Sequence, residues 1–359
     1  MVTVPGIIAA MAFAPSVLLE PAEKPGPLPV RGLHLSAPAR KDVDTLVSFI
    51  REGLAREGVN TLILEFNTSF DFRSLPEFAD PAAPGKDEAA KIVRACREAG
   101  IELIPGFNCL GHQSWKGKNG AFLEKHPELD ETPGKFPGNK DIYCRSWCPL
   151  HPRVHEVLFP LLDELARSCE AKAFHLGMDE VFILADPDCP RCRGKDPADL
   201  FAGEVKVLRD HLKEIGCRTW MWGDRFLDGK ATDIGKWEGS LNGTAPAIDK
   251  VPKDIVICDW HYEKAHETPR YFAEKGFEVV ACPWKKPAVA QAQIGQLRSI
   301  RSNSDPAIAA RALGLVQTTW CGAPAFLKAY AAGDAAGANG AAEAARAFRE
   351  VMKALREGR

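Results

Sequence analysis

The sequence predicts an α/β protein, a (β/α)8 TIM barrel, and three observations support this fold class. Short runs of β-forming residues alternate with longer amphipathic segments along the chain. The β-forming runs are almost continuously apolar, which is typical of parallel strands buried on both faces. Strand–helix units of this kind fill about 330 residues, a length that one barrel with insertions covers. We therefore expect a single domain over residues 30–359.

Each predicted strand is a short apolar run followed by a glycine, a tryptophan or a polar residue. In order, the predicted strands are Val30–Ser36, Thr61–Phe66, Glu102–Phe107, Ala173–Gly177, Arg218–Trp222, Ile255–Trp260, Glu278–Pro283 and Leu315–Trp320. The clearest amphipathic helices between them are Lys41–Glu57, Lys86–Ala99, Val154–Cys169 and Leu200–Ile215. The connection Asn108–His151 is too long for a plain loop, so we expect it to shape a site.

Residues 1–29 are predicted to be an export-like segment or a linker. Residues 2–19 are apolar, and Ala12-Phe13-Ala14 resembles a small-x-small cleavage site. No Lys or Arg precedes the apolar run, however, as it would in a secretory signal. The following Glu20–Pro29 contains four prolines and is typical of a linker. These features favour an exported protein, periplasmic or secreted, and a cytoplasmic protein is the alternative.

The composition excludes some classes of partner. The chain of 359 residues is 45% hydrophobic and 26% charged, with a formal net charge of −2. Such a chain can bury a large core, and it has no basic run that would indicate nucleic-acid binding. No stretch of eighteen or more apolar residues suggests a membrane span.

The eleven cysteines include two spaced pairs, Cys144-x3-Cys148 and Cys189-x2-Cys192. The second pair lies in a turn-rich stretch that is typical of a structural zinc knuckle. The pattern leaves three interpretations open: a four-cysteine structural zinc site, disulfides, or free thiols. No cofactor is expected for catalysis.

Six of the eight tryptophans fall at or just beyond the predicted carboxyl ends of strands. They are Trp115, Trp220, Trp222, Trp260, Trp284 and Trp320. The carboxyl end is also where reactive side chains of a barrel collect. An aromatic mouth with carboxylates at its centre suits a sugar ring, whose C–H faces stack on indole. A carbohydrate is therefore the expected partner.

The adjacent carboxylates Asp179 and Glu180 follow the fourth predicted strand. Two carboxylates held close together repel, so their pKa values separate and they can take different roles in acid–base catalysis. Asp and Glu also suit a helix N-terminus, which is the alternative interpretation of this pair. The surrounding tryptophans favour catalysis.

These residues resemble the catalytic barrel of glycoside hydrolase family 20, the β-N-acetylhexosaminidases. The family motif His-x-Gly-Gly-Asp-Glu is matched by 175–180, with Met178 at the second glycine. Further similarities are Cys148-Pro149 before a helix, Ile104-Pro105 with Gly111-His112, and Arg31-Gly32 at the first strand. The resemblance extends from about Arg31 to Trp320 in the right order.

The resemblance implies removal of a terminal β-linked N-acetylhexosamine by a retaining, substrate-assisted mechanism with an oxazoline intermediate. Glu180 would be the general acid and base, and Asp179 would orient the 2-acetamido group. Residues expected to bind or surround the sugar are Arg31, His112, His175, Trp220, Trp222, Trp260, Tyr262 and Trp320. The substrate could be an oligosaccharide or a glycoconjugate.

Two departures from the family pattern bear on the sugar. The seventh strand ends in 282–285 without the family's Tyr and Asp, for which Tyr262 is a candidate substitute. After the eighth strand, Cys321-Gly322 stands where the family has a Glu. A hydrolase of another sugar, or a weakly active or non-catalytic carbohydrate-binding barrel, is therefore the alternative. A metal-dependent amidohydrolase is disfavoured because the first strand lacks a His-x-His.

Overall fold

The computed structural model describes residues 28–115 and 117–357. In chain order the strands are β1 (Val30–Ser36), β2 (Thr61–Glu65), β3 (Glu102–Cys109), β4 (Ser114–Trp115), β5 (Lys118–Asn119), β6 (Ala173–Gly177), β7 (Arg218–Trp222), β8 (Val256–Trp260), β9 (Glu278–Cys282) and β10 (Ala312–Gln317). The α-helices are α1 (Val43–Ser48), α2 (Ala55–Glu57), α3 (Lys86–Glu98), α4 (Ala121–Lys125), α5 (Val154–Ser168), α6 (Pro197–Glu214), α7 (Thr268–Glu274), α8 (Pro287–Asn303), α9 (Pro306–Arg311), α10 (Ala323–Ala332) and α11 (Gly340–Glu357).

Eight parallel strands close into a barrel in the order β1-β2-β3-β6-β7-β8-β9-β10, and β10 pairs back onto β1. The predicted (β/α)8 class is confirmed. The remaining two strands, β4 and β5, form a small antiparallel ribbon in the long connection after β3. The expected N-terminal segment falls, up to residue 27, outside the described residues.

The barrel has an inner and an outer hydrophobic core. Helices pack on the outer faces of the strands, while the inward-facing side chains form a separate cluster inside the barrel. The inner cluster contains Ile63, Ile104, Ala173, Trp220, Trp222, Val256, Cys258, Trp260, Val280, Cys282 and Val316. Burial on both faces explains why the strands are apolar along their whole length.

Several predicted elements differ in their bounds, and two of the differences have a clear cause. The eighth barrel strand is Ala312–Gln317 rather than Leu315–Trp320. It ends before Thr318, whose N–H donates to the carbonyl of Pro283. Trp320 cannot belong to a strand, because its φ is +44°. The predicted helix 41–57 is divided by a π-helical stretch, Phe49–Leu54. Such a stretch is a local widening within a helix.

Among the described residues, no helix combines the length and the apolar character needed to cross a bilayer.

Candidate active site

A cavity of about 580 Å³ lies at the carboxyl ends of the barrel strands. Its walls combine carboxylates, amides and aromatic rings. The lining residues are Ser36, Glu65, Asn67, Asn108, His112, Trp115, Tyr143, Asp179, Glu180, Trp260, Tyr262, Trp284, Trp320, Cys321 and Gly322. This is the end of the barrel at which the sequence predicted the site.

The end of β6 presents Asp179 and Glu180 to the cavity through a tight turn. Gly177, Met178 and Glu180 have φ values of +67°, +70° and +48°, a region that is costly for side chains other than glycine. The fully buried Met178 side chain fixes the turn in the core. Asp224, after β7, accepts a 3.0 Å hydrogen bond from the Glu180 backbone N–H.

His112 joins the two carboxylates. Its Nε2 lies 3.2 Å from Asp179 Oδ2 and 3.2 Å from Glu180 Oε2. Burial alone lowers the pKa of His112, but the charge of Asp179 and the hydrogen bonds to both carboxylates outweigh burial and raise this pKa well above its usual value. A protonated imidazole at this point can pair with the charge of Asp179 while it also contacts Glu180.

The surroundings of Asp179 favour its ionised form. Burial raises the pKa of this carboxyl, yet the charge and the hydrogen bond of His112 dominate and hold the pKa below its usual value. In the described part of the chain, Asp179 Oδ1 is buried without a hydrogen-bond partner. This oxygen can accept a hydrogen bond from a ligand in the cavity.

Asp224 is a buried carboxyl that supports the site from below. It forms a 2.6 Å ion pair with Arg225 Nε, besides accepting the Glu180 backbone N–H. Burial raises the pKa of Asp224 to about 6, although the charge of Arg225 acts in the opposite direction. Its contacts are structural, since it does not line the cavity.

Aromatic side chains form one wall of the cavity. The rings of Trp260 and Tyr262 lie 5.0 Å apart, and Trp284 lies 5.5 Å from Tyr262. The Tyr262 hydroxyl accepts a 2.5 Å hydrogen bond from Trp320 Nε1. At the opposite rim, the exposed Trp115 lies 5.4 Å from the Tyr143 ring.

Six of the ten residues predicted for catalysis or sugar binding line this cavity. Both acids are among them, and the other four come from the loop after β3 and from the ends of β8 and β10. The six are His112, Asp179, Glu180, Trp260, Tyr262 and Trp320.

The structure corrects the assignment of Arg31 to sugar binding. It is the second residue of β1, at the amino end of the strand, and its guanidinium donates to the carbonyls of Gly58 and Leu28. The cavity begins at Ser36, five residues further along, or about 16 Å at 3.3 Å per residue. Arg31 therefore does not contact a sugar in this cavity.

Trp220, Trp222 and His175 lie inside the barrel, beneath the cavity rather than in its walls. Strand alternation turns both tryptophans inward, so the prediction that they wall the pocket was wrong. Trp222 packs edge-on to His175, with ring centres 4.5 Å apart, and lies 5.6 Å from Trp320. His175 Nδ1 accepts a hydrogen bond from the Gly177 N–H, which supports the turn that carries the acids.

Sequence reasoning missed several cavity residues, notably Glu65, Asn67, Asn108 and Tyr143. Glu65 ends β2, so the same strand-end rule that identified Asp179 could have found it. Its two oxygens are held by Asn67 Nδ2 at 2.9 Å and His34 Nε2 at 3.3 Å. Tyr143 comes from the long connection after β3, where no local pattern marks it.

The four cysteines that one of the three interpretations placed around a zinc ion do not all meet in the structure. Cys144 lies near the cavity, with its Sγ 3.5 Å from the carbonyl of Glu180. Cys148, Cys189 and Cys192 do converge, but with Glu131 as the fourth residue. The sequence could not have identified Glu131, because spacing rules for metal ligands connect cysteines and histidines and do not single out a distant glutamate.

Comparison with known proteins decides the family. The family model for the glycosyl hydrolase family 20 catalytic domain matches residues 83–290, which is more than half of the chain.

The chain belongs to glycosyl hydrolase family 20.

A lacto-N-biosidase of Bifidobacterium bifidum is 25% identical to this chain over 208 residues, which are 54% of this chain and 16% of that protein. Among solved structures, a Flavobacterium johnsoniae chitobiase superposes with a TM-score of 0.62 at 17% identity, covering 92% of this chain and 52% of the other. An exo-β-N-acetylglucosaminidase of Vibrio harveyi, solved with N-acetylglucosamine, superposes with a TM-score of 0.61 at 19% identity. The superposition covers 91% of this chain and 54% of the other. The chain thus spans about half the length of these two structures and a smaller share of the lacto-N-biosidase. At these identities the two structures show a shared fold.

Proposed function

We propose that this protein removes a terminal β-linked N-acetylhexosamine from an oligosaccharide or glycoconjugate by a retaining, substrate-assisted mechanism. One observation carries the proposal: Asp179 and Glu180 face an aromatic cavity together, with His112 between them. Membership of family 20 supports it. Its similarity to a lacto-N-biosidase, a chitobiase and an exo-β-N-acetylglucosaminidase also supports it.

Glu180 is the proposed general acid and base. It lines the cavity while its backbone is held by Asp224, so its carboxyl group can be placed reproducibly beside a glycosidic oxygen. In the first step Glu180 gives its proton to that oxygen as the bond to the anomeric carbon breaks. In the second step it takes a proton from the water that attacks the same carbon.

Asp179 is proposed to make the substrate supply its own nucleophile. Its Oδ1, which no described residue contacts by a hydrogen bond, can accept the N–H of the 2-acetamido group, while Oδ2 is held by His112. The acetamido carbonyl oxygen then attacks the anomeric carbon and forms a bond there as the leaving group departs. The result is an oxazoline, in which the Asp179 carboxylate stabilises the positive charge that develops on the acetamido nitrogen.

The remaining cavity carboxylate does not compete for these roles. Asn67 and His34 each hold one oxygen of Glu65 in place. Each oxygen has a second lone pair, so we assign Glu65 to accepting hydrogen bonds from sugar hydroxyls. Trp260, Tyr262 and Trp284 provide apolar faces against which a sugar ring can stack.

A panel of aryl glycosides tests the proposal. Wild type should hydrolyse an aryl N-acetyl-β-glucosaminide or galactosaminide and not the β-glucoside that lacks the acetamido group. Glu180→Gln should lower kcat by about 10²–10⁴-fold while sugar binding persists. The loss should be larger for an alkyl leaving group than for 4-nitrophenol, because a poor leaving group depends more on protonation.

Glu214→Gln, an exposed carboxylate at the end of α6, is the matched control and should leave kcat unchanged. An unaltered rate in Glu180→Gln would refute the acid assignment. Equal activity on the β-glucoside would instead refute substrate assistance and favour a hydrolase of another sugar.

A further inference from the structure

Four buried side chains with metal-ligating atoms converge behind the cavity, between the long connection after β3 and the loop after β6. They are Glu131, Cys148, Cys189 and Cys192. Each offers one ligand atom, and these four atoms all lie within 4.8 Å of one another. None of the four lines the cavity, so the proposed hydrolysis does not explain why they meet.

The spacing of the sulfur atoms fits ligands around a single ion. Cys148 Sγ lies 3.4 Å from Cys192 Sγ and 3.7 Å from Cys189 Sγ. Tetrahedral zinc with Zn–S bonds of about 2.3 Å separates its sulfur ligands by roughly 3.8 Å. The observed separations are close to this edge of a tetrahedron.

The carboxylate of Glu131 is an independent indication of a cation. The residue is fully buried, and its Oε1 accepts a 3.2 Å hydrogen bond from the Asp186 N–H. Within the described residues its Oε2 is buried and accepts no N–H or O–H donor, and the thiols of Cys148, Cys189 and Cys192 are the groups beside this carboxylate. A buried carboxylate oxygen without a donor is costly unless a positive charge compensates it.

The backbone of the Cys189–Cys192 turn resembles a zinc knuckle, in which N–H groups point to the cysteine sulfurs. The N–H of Cys192 points to Cys189 Sγ at 3.4 Å, and the N–H of Arg193 donates to the carbonyl of Cys189. Gly194, with a φ of +74°, completes the reversal of the chain. The turn therefore presents both sulfurs to the same side.

From these contacts we propose that Glu131, Cys148, Cys189 and Cys192 bind one structural Zn²⁺. Three soft thiolates and one carboxylate satisfy the four tetrahedral positions of zinc. Because the protein supplies all four ligands, no position is left for water or substrate, and the ion is structural rather than catalytic.

The ion would tie together the two loops that carry the catalytic machinery. Glu131 and Cys148 enclose the stretch that contains the cavity residue Tyr143. Cys189 belongs to the chain that leaves the cavity from Glu180. Zinc at this point would hold one side of the cavity in place without contacting the substrate.

Metal analysis of the purified protein tests the site directly. Wild type produced with zinc and kept reduced should retain about one equivalent of zinc per chain after dialysis. Glu131→Gln and Cys192→Ser should each lose most of it. Removing zinc from wild type should lower Tm by about 10 °C, and adding zinc back should restore it. Cobalt in place of zinc should show the thiolate charge-transfer absorption of a tetrahedral site.

Two variants serve as controls. Cys217→Ser removes a buried thiol outside the cluster, whose Sγ donates to the carbonyl of Ala171. His266→Ala removes part of a second group of possible ligands, Glu238, His261 and His266. Both variants should retain the zinc of wild type.

Three outcomes would overturn the zinc site. Wild type could fail to retain or take up zinc, zinc could persist in both Glu131→Gln and Cys192→Ser, or peptide mapping without reductant could show Cys148 joined to Cys192 in a disulfide. The readouts need no substrate, so an inactive protein that binds zinc would refute the proposed function alone.

Discussion

At the scale of single residues, the surroundings make two neighbouring carboxylates unequal. Asp179 is buried, paired with His112 and has a lowered pKa, while one of its oxygens has no hydrogen-bond partner among the described residues. Glu180 shares His112 through its side chain, and Asp224 holds its backbone. The difference follows from position, since the two residues are adjacent in sequence and similar in chemistry.

Replacing Asp179 by asparagine tests this division of roles. Asparagine would keep a similar shape but lose the charge that we propose to stabilise the developing oxazolinium. We expect kcat/KM on an aryl N-acetylglucosaminide to fall by about 100-fold or more, because the internal nucleophile is no longer held. Affinity for a thiazoline analogue of the cyclised intermediate should fall in parallel.

Asp199→Asn is the matched control, because Asp199 is an exposed carboxylate whose ion pair with Lys250 lies on the surface. It should behave as wild type. If Asp179→Asn kept its affinity for the thiazoline, Asp179 would not be the residue that orients the acetamido group.

At the scale of elements, the turn after β6 decides where the two acids lie. Its backbone adopts left-handed φ values at consecutive positions, and the cavity residues His112 and Trp320 have φ values of +55° and +44°. Strain of this kind persists only where the surrounding structure enforces it, and it concentrates at functional sites. At Gly177 the turn also lies tightly against Asn108.

Gly177→Ala should disrupt the turn. A Cβ at this position would lie 2.4 Å from Asn108 Oδ1 and 2.8 Å from Asn108 Cα, besides the strain of a φ of +67°. We expect a loss of about 2–4 kcal/mol in the free energy of unfolding. Because Asn108 lines the cavity, kcat should fall as well. Urea unfolding and steady-state kinetics measure the two effects.

Gly216→Ala separates backbone strain from crowding. Gly216 has a φ of +81°, and an added Cβ there would meet no described atom within 4 Å. This variant should lose only about 1 kcal/mol of unfolding free energy and keep full activity. Equal effects of the two substitutions would mean that contact with Asn108 is unimportant.

At the scale of the whole molecule, a buried histidine links pH to global stability. His261 follows β8, and its ring lies 2.7 Å from Glu238, 3.1 Å from Asp259 and 2.8 Å from the Thr268 hydroxyl of α7. Burial lowers the pKa of His261, but Asp259 and Glu238 prevail and raise it to about 9. The pKa of the neighbouring His266 is lowered by burial and by the charge of His261.

A raised folded-state pKa gives stability at low pH that is lost as pH rises. For His261 the contribution is complete below its unfolded pKa of about 6.5 and disappears as pH passes about 9. We expect wild type to lose up to about 3 kcal/mol of unfolding free energy over this window through His261. His261→Gln should be less stable than wild type at pH 6.5. Its unfolding free energy should also fall less steeply as the pH rises through this window.

Urea unfolding at pH 6.5 and 9.5 measures the pH dependence of the unfolding free energy of both proteins. The difference between wild type and variant cancels the other groups that titrate in this range. Parallel slopes would show that His261 is not charged in the folded state.

Much of the fold could be predicted from the chain alone, because a strand buried on both faces must be apolar throughout, and this leaves a local signal. The strands β1, β6 and β7 begin and end at the predicted residues, while β10 was displaced by the turn at Trp320. The acids were predictable for the same reason: they directly follow a recognisable strand.

The barrel, the end at which the candidate site lies and its two adjacent acids could all be predicted from the chain. The side chains around the acids could be identified only from the folded protein, in which Trp220 and Trp222 lie inside the barrel, Arg31 lies at the opposite end and Glu131 meets three cysteines. The two groups differ in the range of the interactions that determine them. Strand identity depends on neighbours along the chain, whereas the members of a site meet through packing between elements that are distant in sequence.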